Sequence, residues 1–212
     1  TVPGGKGANQ AIAAARLGAQ VSMIGRVGQD DFAQAQFDNL KAAHIDYTHV
    51  TQDPDAATGV ALIEVDDAAQ NSIVVAPGAN MALSPAHVEA AEAAIQQADV
   101  LLLQLEIPLD TVIRAAEIAR KHNVTVILNP APAQPIPEGL LSLTDILVPN
   151  ESETALLTGL SVTNQAEFET AARQLRESGI DMVILTLGEH GSLLAQGDKT
   201  VSYTHLRAHE TR

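Results

Sequence analysis

Four short, continuous apolar segments in the second half of the chain constrain its fold more than any other feature. Helical patterns at 84–97, 110–121 and 165–178 alternate with these segments, which read DVLLLQLEIP, VTVILNPAP, TDILVPNESE and DMVILTLGEHG. A run without polar alternation is typical of a strand that is buried on both faces. Strands separated by helices form βαβ units, so the sequence predicts an α/β fold with a mostly parallel sheet and helices on both faces.

The first eighty residues carry a different pattern. Two β-rich runs, Gly59–Val65 and Ser72–Val75, flank a polar turn at Asp66–Asn71, and this arrangement predicts a β-hairpin over residues 59–75. A hairpin inserted into a parallel α/β domain suits a small lid or an edge sheet. Before it, the sequence predicts a helix, a strand and a second helix, at residues 8–17, 21–28 and 30–43.

Composition excludes several classes of function. The formal net charge is −14 and aromatic residues make up 2% of the chain, so we expect no nucleic-acid partner. The apolar runs are too short to span a bilayer, so we expect no membrane partner. The chain has no cysteine, which excludes disulfides and cysteine-ligated zinc and fits a cytoplasmic protein.

The last twelve residues, VSYTHLRAHETR, lack the apolar periodicity of the preceding sequence. His205 and His209 lie four residues apart and could bind a metal on a helix, although no third ligand is fixed nearby. The stretch also resembles a translated sequencing adapter. We therefore interpret 201–212 as a non-native tail and 1–200 as the native α/β domain.

Polar residues follow each of the four predicted strands. In open parallel sheets, ligands bind beyond the carboxyl ends of the strands, so these residues are expected to meet at one edge. A single polar residue would be ordinary at a strand end, but a succession of them indicates an active site. The residues are Glu106, Asn129, Asn150 with Glu153, and the Thr186–Gly188 turn followed by Gly191.

The chain opens with a glycine-rich turn, Gly4–Gly7, that leads into an alanine-rich helix. Free amides at a helix N-terminus favour anionic or hydroxyl-rich ligands, and glycine lets a ligand approach the backbone closely. The turn is not a Walker A loop, because glycine follows Lys6, and it lacks the G-x-G-x-x-G of a dinucleotide site. Alternatively, it is a plain flexible turn with a solvated lysine.

Taken together, the segments resemble a known family. GGKGANQAIAAARLGAQVSMIGRVGQDDF, LLLQLEIP, ILNPAPA, ILVPNESE and VILTLGEHG occur in the order and at the separations typical of the ribokinase-like (phosphofructokinase-B type) carbohydrate kinases. The resemblance covers residues 1 to about 200. Ala33 stands where the family usually has glycine, a small departure.

The resemblance implies transfer of the γ-phosphoryl group of ATP to a sugar hydroxyl with Mg²⁺, and activation by K⁺. The run from Lys6 to Asn9 favours D-ribose as the acceptor, with ribose 5-phosphate as the product. The hairpin would be a lid that also pairs two copies as a homodimer. The implied sugar-binding residues are Gly5, Lys6, Gly7, Ala8, Asn9 and Glu106. The implied ATP-binding residues are Asn150, Thr186, Leu187, Gly188, Glu189, His190 and Gly191, with Glu153 linked indirectly to the metal.

The family also has a first strand that would precede residue 1, and a G-A-G-D motif with the catalytic base that would follow residue 200. We therefore expect no catalytic base within this chain, and no activity from the chain by itself. Alternatively, Glu106 caps the helix that follows it beside Pro108, and Glu153 is an acid in the first turn of a helix. Three other functions stay open: a kinase for another sugar or a nucleoside, a non-catalytic sugar- or nucleotide-binding module, and a nucleotide-binding α/β protein unrelated to sugars.

Overall fold

The computed structural model describes residues 2–65 and 71–203. The helices are α1 (Lys6–Arg16), α2 (Asp31–Ala42), α3 (Pro85–Ala90), α4 (Glu92–Gln96), α5 (Leu109–Lys121), α6 (Glu138–Leu141), α7 (Glu151–Thr158) and α8 (Gln165–Glu177). The strands are β1 (Ser22–Val27), β2 (Asp46–Gln52), β3 (Val60–Val65), β4 (Asn71–Ala76), β5 (Val100–Leu103), β6 (Thr125–Leu128), β7 (Ile146–Leu147), β8 (Met182–Thr186), β9 (Ser192–Gln196) and β10 (Lys199–Tyr203). Within this described part, no helix combines the length and the apolar character needed to cross a bilayer.

The chain divides into two compact units. Unit 1 comprises Thr1–Ala94 and Glu106–Ala115, and unit 2 comprises Ile95–Leu105 and Ala116–Arg212.

Unit 1 contains a βαβ element and a hairpin. Strands β1 and β2 pair in parallel and are joined through α2, which begins where the Asp30 carboxylate accepts a hydrogen bond from the amide of Ala33 at 2.9 Å. Ala11, Leu40 and Ile45 form a buried cluster between α1, α2 and the start of β2. Strands β3 and β4 pair antiparallel, with Leu62 opposite Val74. The predicted hairpin is thus confirmed, while residues 66–70 of its turn lie outside the described residues.

The two ends of this hairpin meet in a tightly packed junction. A Cβ on Gly59 would lie 2.5 Å from the carbonyl oxygen of Pro77, and one on Gly78 (φ 52°) would collide with the carbonyl oxygen of Ala57. Next to this contact, the amide and hydroxyl of Thr58 donate to the Asp30 carboxylate at 2.8 and 2.7 Å. These two hydrogen bonds from Thr58, followed by the one from the amide of Ala33, lower the pKa of Asp30. The base of the hairpin is therefore fixed on the start of α2.

A buried ion pair ties β1 to the end of β2. The Nε of Arg26 donates to Asp53 at 2.8 Å, and the two side chains are only 16% and 9% exposed. The backbone amides of Asp55 and Ala56 also donate to Asp53, at 2.8 and 2.9 Å. The hydrogen bond from Arg26, followed by those from the two amides, lowers the pKa of Asp53 from 3.8 to about 2.

Within the described part of unit 2, six strands form one sheet in the order β10-β9-β8-β7-β6-β5. Strands β5 to β8 are parallel, whereas β9 and β10 continue the sheet antiparallel. Helix α8 packs against β8 and β9 and ends before Gly179, whose φ of 96° suits a glycine that follows the C-terminus of a helix. The prediction of an α/β fold with a mostly parallel sheet is confirmed.

Two local predictions need correction. The helix predicted over 84–97 is two helices, α3 and α4, because the amides of Ala91 and Ala94 bond to carbonyls three residues back. Strand β5 is at the edge of its sheet rather than buried on both faces, and Val100 and Leu102 are 44% and 40% exposed. Residues 201–203 lie in β10, while His205 and His209 lie outside the described residues. The interpretation of 201–212 as a non-native tail stays a prediction.

Candidate functional site

The turn that opens the chain is built around Gly5. This residue is the N-cap of α1 and has φ 98° and ψ 142°, a conformation that side chains of L-residues rarely adopt. Its carbonyl accepts the first hydrogen bond of the helix, from the amide of Asn9 at 2.9 Å. Gly5 therefore has a backbone reason to be glycine, whether or not a ligand approaches it.

Glu106 and Lys6 form a pair at the start of α1. The backbone amide of Lys6 donates to Oε2 of Glu106 at 3.0 Å, and the Lys6 ammonium lies 3.7 Å from Oε1. The two side chains are 41% and 31% exposed. A carboxylate at the N-terminus of a helix is stabilised by the free amides and the helix dipole. The structure thus gives Glu106 a capping role on α1, and its exposed oxygens can still accept hydrogen bonds from hydroxyl groups.

In the rest of the first turn of α1, one side chain is buried and another is exposed to solvent. The side chain of Ala8 is buried, so this residue can meet a ligand only through its backbone. Asn9 is exposed, and its carboxamide offers both donors and an acceptor. Together with Lys6 and Glu106, it forms a polar surface suited to a ligand that carries several hydroxyl groups.

In unit 2, Asn150 and Glu153 form a capping box at the start of α7. Oδ1 of Asn150 accepts from the amide of Glu153 at 2.8 Å, and Oε2 of Glu153 accepts from the amide of Asn150 at 2.8 Å. The other carboxylate oxygen of Glu153 accepts from Nδ2 of Asn150 at 3.0 Å. Glu153 is only 4% exposed. Capping accounts for both residues locally, and for Glu153 this agrees with the alternative reading as an acid in the first turn of a helix.

The strand-end residues of unit 2 lie side by side. Asn150 forms a parallel bridge with Thr186, whose amide donates to the carbonyl of Pro149 at 2.9 Å. On the other side, Nδ2 of Asn129 donates to the carbonyl of Val148 at 2.8 Å. The carboxyl ends of β6, β7 and β8 therefore bring these three residues to one edge of the sheet, as the sequence predicts.

After Thr186 the chain makes a compact turn before β9. The amide of Leu187 donates to the carbonyl of Gly191 at 2.9 Å, and the amide of His190 donates to the carbonyl of Leu187 at 2.9 Å. Gly188 and Gly191 have φ values of 50° and 92°, whereas Leu187 is buried with 3% exposure. Glu189 and His190 are exposed. The turn can therefore present backbone groups to a ligand through its glycines.

The candidate residues separate by unit. Those at the start of α1, with Glu106, belong to unit 1, whereas Asn150, Glu153 and the turn at 186–191 belong to unit 2.

A divalent metal has few protein ligands in this arrangement. Over residues 2–65 and 71–203, no group of three or more His, Asp or Glu side chains is placed to hold a metal ion. Both oxygens of Glu153 are already engaged by Asn150. These residues do not form a metal cage; Mg²⁺ commonly binds through phosphate oxygens and water, with few protein ligands.

One contact of the opening turn was not predicted from the sequence. Gln36, on α2, donates from Nε2 to the carbonyl of Gly4 at 2.6 Å. The two residues are 32 positions apart. No periodicity or motif marks such a pair, so only the folded arrangement of α1 and α2 reveals it.

The chain is similar to several known proteins. It is 49% identical over 195 residues to a bifunctional ribokinase/ribose-5-phosphate isomerase A of Fructilactobacillus sanfranciscensis, covering 92% of this chain and 36% of that protein. It is 44% identical to a ribokinase of Staphylococcus aureus, covering 98% and 67%. The solved structure of an Arabidopsis thaliana ribokinase with ribose and ATP matches with a TM-score of 0.92 and 32% identity, covering 98% and 68%. The chain thus spans about a third of the bifunctional relative and about two thirds of the other two.

A family model agrees with these relatives. The model of the pfkB family carbohydrate kinases matches residues 1–211. The ribokinase-like fold implied by the sequence segments is confirmed by the similarity to the Arabidopsis structure. The chain belongs to the pfkB family of carbohydrate kinases.

Proposed function

We propose that this protein takes part in the ATP-dependent phosphorylation of D-ribose to ribose 5-phosphate. The observation that carries the proposal is the Lys6–Glu106 pair at the opening of α1, within a chain whose relatives include ribokinases. The similarity to a ribokinase structure that contains ribose and ATP supports both substrates. In the reaction, a sugar hydroxyl oxygen forms a bond to the γ-phosphorus as the bond from that phosphorus to the bridging oxygen of the β-phosphate breaks. ADP leaves, and the hydroxyl proton passes to a general base, which the family resemblance implies would follow residue 200.

The residues of unit 1 would bind the sugar. Glu106 would accept hydrogen bonds from sugar hydroxyls, while Lys6 and Asn9 would donate to their oxygens. Gly5, Gly7 and Ala8 would contribute backbone contacts, since the first two carry no side chain and the third is buried. Such contacts accelerate phosphoryl transfer by fixing the acceptor hydroxyl in line with the phosphate.

The residues of unit 2 would bind the nucleotide. Asn150 and Thr186 share the strand edge that precedes the compact turn, and the turn from Leu187 to Gly191 would contribute backbone contacts. ATP-dependent kinases use a divalent metal with the nucleotide, and we propose Mg²⁺ here. The phosphates would supply most of its ligands, with Glu153 acting only indirectly through Asn150. Activation by K⁺ stays a prediction from the family resemblance.

The hairpin would cover the sugar and pair two copies of the protein. Val60, Leu62 and Val74 lie on one face of β3 and β4 and are 41%, 64% and 66% exposed, so this face has apolar area to bury. The exposed apolar face supports a homodimer. Sedimentation equilibrium would test this by comparing Leu62→Glu with the control Leu17→Glu, whose position at the end of α1 is 90% exposed. A cytoplasmic location is also part of the proposal.

The decisive experiment measures turnover and binding with the same acceptors. ADP formation is followed with ribose, fructose and adenosine in a longer protein that also carries the G-A-G-D segment expected to follow residue 200, and binding of each acceptor to that protein is measured by calorimetry. We expect ribose to bind and to support the highest kcat/KM. Ribose binding without turnover would favour the non-catalytic sugar-binding module, whereas preference for another acceptor would favour a different kinase of the family. Failure of ribose in both measurements would overturn the proposal.

A further inference from the structure

We propose that Gln36 is a positioning residue that holds the opening turn of α1 in the conformation needed to bind the acceptor. The acceptor itself rests on the proposed function, whereas the tether between Gln36 and the turn rests on the structure.

The tether is a short hydrogen bond between two elements. Nε2 of Gln36 lies 2.6 Å from the carbonyl oxygen of Gly4. Only the NH₂ end of the carboxamide can donate to a carbonyl, so this contact also fixes which way the amide group of Gln36 faces. The bond therefore connects the middle of α2 to the residue just before the N-cap of α1.

The other end of the same carboxamide has no partner. Oε1 of Gln36 is buried and accepts no hydrogen bond from the residues that the structure describes. A buried acceptor without a donor is unfavourable for folding. Gln36 therefore contributes less to the free energy of unfolding than its single hydrogen bond suggests. An apolar side chain of the same length would avoid the cost of burying an acceptor without a donor. The benefit of glutamine must then be sought in what the bond to Gly4 holds in place.

The bond holds a part of the candidate sugar site that side-chain packing does not restrain. Gly4 and Gly5 have no side chains, and a Cβ on either would meet nothing within 4 Å, so packing does not restrain them. Glycine pairs of this kind have wide conformational freedom. Gly5 must keep its φ of 98° for the amide of Lys6 to reach Glu106 at 3.0 Å. By fixing the carbonyl of Gly4, Gln36 restrains the turn two residues before Lys6.

The test uses amide hydrogen exchange of the intact protein, resolved by residue with NMR. Gln36→Met keeps the length of the side chain but removes both the donor and the unpartnered oxygen. Gln36→Glu keeps an acceptor and sets a carboxylate against the carbonyl of Gly4. The matched control is Gln34→Met, because Gln34 lies on the exposed side of α2 and bonds only locally to Asp38 at 2.9 Å.

In Gln36→Met, we expect the amides of Lys6 and Asn9 to exchange roughly five- to tenfold faster, the equivalent of one hydrogen bond. In Gln36→Glu, the exchange rates of these two amides should increase further, and in Gln34→Met they should equal those of the original protein. The melting temperature of Gln36→Met should stay unchanged or rise, since the unpartnered oxygen is gone. Unchanged exchange at Lys6 and Asn9 would overturn the proposal. A uniform increase through α1 and α2 would also overturn it, because Gln36 would then be merely structural.

Calorimetry with ribose tests the link to acceptor binding. The dissociation constant for ribose should rise in Gln36→Met by about the same factor as the exchange, while that for ATP stays constant. Faster exchange with unchanged ribose affinity would contradict the positioning role. If the original protein binds no ribose, the proposed function fails, whereas the exchange data still decide whether Gln36 restrains the turn.

Discussion

Glu106 contacts α1 through both carboxylate oxygens, and the two contacts differ in how much they contribute to stability. The hydrogen bond from the amide of Lys6 closes a helix N-terminus, whereas the ion pair with the Lys6 ammonium is long, at 3.7 Å, and partly exposed. Exposed ion pairs contribute about 0–1 kcal/mol. The negative charge of Glu106 therefore contributes little to stability, and under the proposed function its main use would be to bind the sugar.

This difference predicts the effect of Glu106→Gln. The new side chain still accepts from the amide of Lys6, so the melting temperature should change little. The dissociation constant for ribose should rise about tenfold or more, since hydrogen bonds to a charged group are worth roughly 1.5–3 kcal/mol. Calorimetry measures the affinity, and Glu138→Gln, on the exposed surface of α6, is the control. Equal ribose affinity in both variants would exclude Glu106 from the sugar site.

A second prediction at this scale concerns acid stability. Because Arg26 and two backbone amides lower the pKa of Asp53 from 3.8 to about 2, the folded protein favours the carboxylate more than the unfolded chain does. The stabilisation is complete above about pH 4 and is lost as the pH falls from about 4 towards 2. The gap in free energy of unfolding between the original protein and Asp53→Asn should therefore narrow over this range. Urea unfolding at pH 6, 4 and 3 measures it.

Asp198→Asn, in the exposed turn between β9 and β10, is the control for that series. A gap between the original protein and Asp53→Asn that stays constant from pH 6 to pH 3 would show that the ion pair with Arg26 does not set the acid response.

Single residues also mark how far a sequence can predict a site. Glu106, Asn150 and Thr186 were identified because residues at strand ends have a fixed relation to the sheet. The contact of Glu106 with the start of α1 was not predicted, because the sequence does not tell whether a carboxylate at a strand end faces the amide of a distant helix or a ligand. Gln36 could not be identified at all, since its partner is 32 residues away.

At the scale of elements, the hairpin depends on its glycine junction. Gly78→Ala would place a Cβ against the carbonyl of Ala57 at a φ of 52°, so both packing and backbone conformation oppose it. We expect a loss of roughly 2 kcal/mol or more in the free energy of unfolding. Gly139→Ala in α6, where a Cβ meets nothing within 4 Å, should be neutral or stabilising by about 0.5–1 kcal/mol. Denaturant unfolding measures both variants, and similar values would contradict the role of the junction.

Elements with a strong periodic pattern were predicted well, and those defined by long-range pairing were not. Helix α8 and strand β8 match their predicted positions within one or two residues. Strand β2 was missed, because DYTHVTQ lacks an apolar run and becomes a strand only by pairing with β1. The antiparallel strands β9 and β10 were missed for a similar reason, since each extends the sheet from β8.

At the scale of the whole molecule, the two proposed ligands are expected to act on different units. Ribose should slow amide exchange at residues 5–9 and around Glu106, in unit 1, and ATP with Mg²⁺ should slow it at 186–191, in unit 2. The physical reason is that a ligand suppresses exchange most strongly where it contacts the backbone or closes a local opening. Exchange followed by mass spectrometry measures both regions in one experiment. Protection by ATP confined to residues 5–9 would reverse the assignment of the two sites.

The compact turn after β8 also makes the protein convenient to label. Its internal hydrogen bonds run between backbone atoms, and the side chain of Glu189 is exposed at its tip. Since the sequence has no cysteine, Glu189→Cys would create a single thiol for a fluorescent dye. A dye at this position would report nucleotide titrations through its emission, without a coupled enzyme and without a second reactive sulfur to block.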